Sequence, residues 1–198
     1  MDGIQHSWPA SWSPDGRVLA FVTNDGAHRA SSELTGLDIW WASLDDLTHP
    51  HLFLKTKFDE GPPVFSPDGR WLAYASNESG RTEIYVQPFP GPGERVQIST
   101  DGGNEVTWPR LGHQLFYRSA NAMMAVDVSA GRRFSAGQPR RLFEGDFAKS
   151  TAFWPNYDVS ADGQRFLMIR TIDDRTPPTP INVIVNWQEE LKQRVPTR

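Results

Sequence analysis

Ser13-Pro14-Asp15-Gly16-Arg17-Val18-Leu19-Ala20-Phe21 returns, with two substitutions, as Ser66-Pro67-Asp68-Gly69-Arg70-Trp71-Leu72-Ala73-Tyr74. A looser copy runs Ser160-Ala161-Asp162-Gly163-Gln164-Arg165-Phe166-Leu167-Met168, and a degenerate one runs Pro109-Arg110-Leu111-Gly112-His113-Gln114-Leu115-Phe116-Tyr117. The copies start at positions 13, 66, 109 and 160, so they are 53, 43 and 51 residues apart. Intervals of about 40 to 50 residues are those of four-stranded propeller blades. The reading is therefore all-β, a β-propeller of four-stranded antiparallel blades with four repeats, over residues 8–55, 61–99, 103–144 and 154–187.

Each unit has one internal grammar. Its Pro-Asp-Gly step is a turn, in which Pro presets φ, Asp hydrogen-bonds the nearby backbone and Gly takes a positive φ. This assigns Asp15 and Gly16, Asp68 and Gly69, and Asp162 and Gly163 to turn chemistry rather than to catalysis or metal binding. A short apolar run follows each turn: 18–22, 71–75, 115–117 and 166–169. Runs rich in aromatic and branched residues and bounded by turns read as strands. Second strands are expected at 38–42, 83–86, 123–128 and 181–185, and outer strands at 51–54, 95–98 and 141–143. The fourth unit has no outer strand. Asn186 instead caps a short C-terminal helix over 187–195, with Trp187, Leu191 and Val195 on one face and Pro196 ending it.

The two full Ser-Pro-Asp-Gly-Arg-x-Leu-Ala-aromatic blocks are each followed by Asp38-Ile39-Trp40 or Glu83-Ile84-Tyr85. Together they resemble the WD-like repeats of TolB-type propellers, and the resemblance covers about residues 8 to 187. The closing segment 181–187 resembles the end of bacterial proteins in which such a propeller follows a kinase or a DNA-binding domain. This likeness implies a non-catalytic module that binds a protein or a small ligand, in a sensor or an extracytoplasmic envelope protein of bacteria. It also implies about six blades or more. The chain is thus expected to continue into a longer propeller; a closed four-bladed ring and a half-ring that forms a homo-oligomer are the alternatives. An accessory propeller of a prolyl-peptidase-like hydrolase, or a structural fragment, are the competing functional readings. The third repeat departs from the pattern at Arg110-Leu111.

Composition narrows the function further. The net charge is −4, without the cationic footprint of a nucleic-acid binder. There is no Cys, hence no disulfide, thiolate metal site or cysteine nucleophile. No apolar run is long enough for a membrane span, and Met1 to His6 lack the basic and apolar parts of a leader. No Gly-x-Ser-x-Gly elbow occurs. His49-Pro50-His51 offers two imidazoles, too few for a zinc site. No cofactor is expected. Of eight Trp, most fall on expected strands and read as core. Trp154, in the loop before the fourth repeat, is the candidate binding residue.

Overall fold

The computed structural model describes residues 6–24, 36–150 and 153–170. They form antiparallel sheets and no helix. Strands β1 (His6–Trp12), β2 (Val18–Asn24), β3 (Leu37–Ser43) and β4 (Asp46–Leu54) pair in sequence order as blade 1. Blade 2 repeats this with β5 (Val64–Phe65), β6 (Trp71–Ser76), β7 (Glu83–Pro88) and β8 (Val96–Gln97). Blade 3 consists of β9 (Asn104–Thr107), β10 (Gln114–Ser119), β11 (Ala122–Ala130), β12 (Phe134–Ala136) and β13 (Arg140–Glu144). Both β12 and β13 pair with β11, so they act as one outer strand interrupted at Gly137-Gln138-Pro139. Of the fourth repeat, β14 (Tyr157–Val159) and β15 (Phe166–Met168) are described. The expected strand at 181–185 and the helix at 187–195 lie outside the described residues.

The strand after each turn is the centre of its blade, and its apolar run has a physical reason. Trp71, Leu72, Ala73, Tyr74 and Ala75 are all buried, so β6 is covered on both faces. Alternation sends Leu72 and Tyr74 toward blade 1 and Trp71, Ala73 and Ala75 toward blade 3. A strand between two sheets has no solvated face, hence no polar alternation.

Consecutive blades stack through these faces. Ala20 packs with Phe65 and Leu72, and Val22 and Ile39 pack with Tyr74 and Tyr85, at the junction of blades 1 and 2. Phe89 seals that junction, edge-on to Phe65 at 4.9 Å and to Trp41 at 5.3 Å. Between blades 2 and 3, the largest core cluster joins Trp71, Ile84 and Val86 to Val106, Trp108, Leu115 and Tyr117. Phe116, Met123 and Ala125 then receive Tyr157 of the fourth repeat. Trp71 and Trp108 fill the wedge, but Trp12 is 48% exposed.

The inner strands β1, β5, β9 and β14 precede their turns. Three of them have only two to four residues, and Pro9 in the longer β1 sits beside an irregularity in its pairing. A Pro cannot donate to the ladder, so it is tolerated at a bulge or an edge.

Candidate functional site

Three of the four turns share one hydrogen-bonded knot. In the first, Ser13 Oγ donates to Asp15 Oδ1 at 2.6 Å and accepts from the Val18 N–H at 2.9 Å. Asp15 Oδ1 also accepts from the Arg17 N–H at 3.1 Å. The second repeats this with Ser66 to Asp68 at 2.6 Å, Trp71 N to Ser66 Oγ at 3.0 Å and Arg70 N to Asp68 at 3.2 Å. The fourth has Ser160 to Asp162 at 2.5 Å, Arg165 N to Ser160 Oγ at 2.9 Å and Gln164 N to Asp162 at 3.0 Å. Gly16, Gly69 and Gly163 take φ of 71°, 73° and 73°, the left-handed region that glycine enters at least cost.

These bonds to the charged form hold the Asp15 and Asp162 carboxyls below the usual range, the Ser hydroxyl contributing most. For Asp68 partial burial pushes upward, and the bonds from Ser66 and Arg70 outweigh it. Each carboxylate is thus occupied within its own turn. The serine, a two-way connector in all three knots, has no counterpart in a reading of the Pro-Asp-Gly step alone.

The third turn is built differently. Pro109 replaces the serine, and Leu111 occupies the position of the carboxylate. Gly112 takes no positive φ. Its N–H reaches Pro109 O at 3.4 Å, against 2.8 to 2.9 Å for the corresponding bond in the other three turns. The Leu111 N–H instead donates to Ala161 O of the fourth-repeat turn at 3.0 Å. The neighbouring turn therefore supplies the restraint that the missing side chain does not. Leu111 is left 77% exposed. It stands over a cleft of about 450 Å³ floored by Trp108 and Val128 and flanked by Pro67, Arg110, His113 and Gly131. A second cleft, of about 290 Å³, opens on its other side beside Gln114, Asp127 and Gln164.

Trp154 lies elsewhere. It is half-buried, 6.3 Å from Trp8 in an edge-to-face arrangement, and packs on the cluster of Val22, Ile39, Tyr74 and Tyr85. The loop before the fourth repeat thus reaches back to the first two blades. Glu105 anchors that loop. Its backbone has φ of 56°. Its carboxylate accepts from the N–H groups of Ser150 at 3.1 Å and Asn156 at 2.8 Å, and its carbonyl accepts from the Tyr157 hydroxyl at 2.6 Å. Arg118 is buried beside this loop, donating to Ala148 O at 3.4 Å and lying 5.9 Å from the Phe147 ring.

Other buried ionisable groups tie strands together. Asp38 pairs with Lys55 at 3.1 Å. Glu83 accepts from Arg81 Nε at 2.6 Å, from the Gly102 N–H at 3.0 Å and from Ser99 Oγ. The two carboxylates open the third strands of blades 1 and 2, at the Asp-Ile-Trp and Glu-Ile-Tyr marks. Glu60 is fully buried. Thr56 Oγ1 donates to its Oε1 at 2.6 Å, while Oε2 has no hydrogen-bond partner among the described residues. Desolvation, helped by the nearby charges of Asp38, Asp59 and Glu78, pushes its carboxyl up to about 7 against the Thr56 bond. Sequence reasoning missed Glu60, Glu105 and Arg118, because nothing in their local pattern distinguishes them from exposed loop charges.

His49 and His51 serve different partners: His49 contacts Asp46 at 2.8 Å, and His51 stacks on Trp41 at 4.2 Å. Among the described residues no three His, Cys, Asp or Glu side chains converge on a metal-sized site, and no helix is long and apolar enough to cross a membrane.

No family model matches the chain. Over 171 residues, 82% of its length, it is 29% identical to a Streptomyces coelicolor protein named as a tricorn protease homologue, covering 13% of that protein. Over 85 residues, 43% of its length, it is 34% identical to the Tol-Pal system protein TolB of Nitrosococcus oceani, covering 18% of it. The chain therefore spans less than a fifth of either relative. Among solved structures it resembles a protein described as a TolB from Agrobacterium tumefaciens, with a TM-score of 0.64 at 19% identity, covering 85% of this chain and 60% of that one. It also resembles TolB from Acinetobacter baumannii, with a TM-score of 0.60 at 18% identity, covering 84% and 37%. The fold is a TolB-like β-propeller.

Proposed function

We propose that this chain is a non-catalytic recognition module that binds an extended protein segment across the third-repeat turn. One observation carries the reading. Where the other turns hold a carboxylate closed in its own knot, this turn presents Leu111, 77% exposed, over a cleft between blades 2 and 3. An exposed leucine against a concave, partly apolar surface has the form of a contact point rather than of a core residue. Arg110 at the cleft and the exposed Arg132 and Arg133 on the adjoining hairpin favour a segment with an acidic residue next to an apolar one. The carboxylates of the repeat turns support the same conclusion, since each is engaged in holding backbone. Trp154 supports the reading less, because its ring packs against Trp8 and the core.

Selection of displayed random peptides on the whole chain tests this. The expected result is enrichment of apolar-acidic segments that bind Leu111→Asp, which restores the repeat's usual residue type, at least about tenfold more weakly, a loss of roughly 1.4 kcal/mol. Peptides that bind the native chain and Leu111→Asp equally would place recognition elsewhere, and an empty selection would end the reading.

A further inference from the structure

Leu111 owes its place over the cleft to a bond from outside its own repeat. The closing bond of its turn, from the Gly112 N–H to Pro109 O, is stretched to 3.4 Å, beyond the usual range for an N–H donor. The stronger restraint is the bond from the Leu111 N–H to Ala161 O at 3.0 Å. Ala161 belongs to the fourth-repeat turn, so the backbone that carries the exposed leucine is held by the next repeat along the chain.

That acceptor is itself held on both sides. Ala161 lies between Ser160 and Asp162, the two residues that the knot joins side chain to side chain at 2.5 Å. Ser160 Oγ also accepts from the Arg165 N–H at 2.9 Å, and Asp162 Oδ1 accepts from the Gln164 N–H at 3.0 Å. The backbone closes beneath them, the Gly163 N–H donating to Ser160 O at 2.8 Å. A planar peptide group turns only through the dihedrals at its two ends, and here both ends are tethered. The direction of Ala161 O is thereby fixed. The Ser160 hydroxyl makes two of these bonds at once, donating to Asp162 and accepting from Arg165, so its removal takes both away.

We propose that Ser160 is a positioning residue for the contact at Leu111. Through Ala161 O it sets the backbone that carries the leucine, so the side chain meets its ligand already ordered. This rests on the reading of Leu111 as the contact point. A side chain ordered before binding loses less freedom when the ligand arrives, and affinity rises accordingly. The fourth repeat thus takes part in recognition through a hydroxyl that acts on the backbone rather than on the bound segment.

Two measurements on the full chain test this, with the variants Ser160→Ala, Ser160→Thr and Ser13→Ala. Hydrogen exchange followed amide by amide reads the bond directly. The Leu111 amide should exchange about tenfold faster in Ser160→Ala. It should keep its native rate in Ser160→Thr, which retains the hydroxyl, and in Ser13→Ala, which loses the same knot two blades away. Amides of β6 and β10 should keep native rates in all three, which separates a local change from unfolding. Peptides selected on the native chain should bind Ser160→Ala about three- to tenfold more weakly and the other two variants unchanged. A Leu111 amide as protected in Ser160→Ala as in the native chain would overturn the proposal. So would an equal loss of affinity in Ser13→Ala, which would report stability rather than position. Faster exchange with unchanged affinity would also overturn it, because order at Leu111 would then not serve binding. Should the selection yield no peptide, the Leu111 reading falls, while the exchange rates still decide whether Ser160 sets that backbone.

Discussion

Glu60 shows what a single side chain does when the fold encloses it. Its carboxyl is raised from 4.5 to about 7 because burial disfavours the charged form more than the Thr56 hydroxyl stabilises it. The native state therefore keeps a proton that the unfolded chain has already released. The contribution to stability is greatest below about pH 4.5, falls as pH rises through the interval up to 7, and is flat above it. Its size is at most about 3 kcal/mol. Glu60→Gln keeps an acceptor for Thr56 without the charge. The difference in unfolding free energy between Glu60→Gln and the native chain should shift in favour of the variant on going from pH 5 to pH 8. Urea titrations of both chains at the two pH values measure this, and a difference independent of pH would mean that Glu60 ionises as freely as a surface carboxylate.

At the scale of elements, the turns act on each other as well as on their own strands. A Cβ at Gly16 would meet nothing within 4 Å, whereas one at Gly69 would stand 3.2 Å from Pro14 Cδ of the preceding turn. Both glycines have nearly the same positive φ. Gly16→Ala should therefore cost only the backbone strain, about 1–2 kcal/mol, and Gly69→Ala should cost more, about 2–3 kcal/mol. Equal shifts in urea midpoint would show that adjacent turns do not press on one another. The knots were legible in part: Pro-Asp-Gly announced the turn and the glycine conformation, because the relevant bonds span five residues or fewer. The inner strands were not. Val64–Phe65 follows Pro62-Pro63 and has two residues, too few for periodicity to register. Its pairing depends on β6 already lying alongside.

Over the whole molecule, protection follows the number of faces a strand has covered. Strands β6 and β10 lie between sheets with nearly every side chain buried, whereas the outer strand β4 is mostly exposed along its nine residues. Hydrogen exchange of the native chain should give the slowest amides in β6, β7, β10 and β11 and markedly faster ones in β4 and β12. Amides in β4 as slow as those in β6 would show that the coverage of a strand's faces does not set its protection.

What the amino-acid sequence determined by itself is whatever closes over a few residues or repeats at a fixed interval. The Ser-Pro-Asp-Gly knots, the apolar runs after them and the interval between copies were enough for an all-β propeller, because turn bonds are local and stacked blades impose the same pattern on each unit. The tertiary structure alone decided which charges are desolvated, that Trp154 of the last repeat lies against Trp8 of the first, and that Leu111 stands open where its counterparts are closed. The reason is physical. The state of Glu60 depends on Thr56 and Ser76, and that of Leu111 on Ala161 fifty residues away. Desolvation and exposure are properties of neighbours that the chain brings together only when it folds.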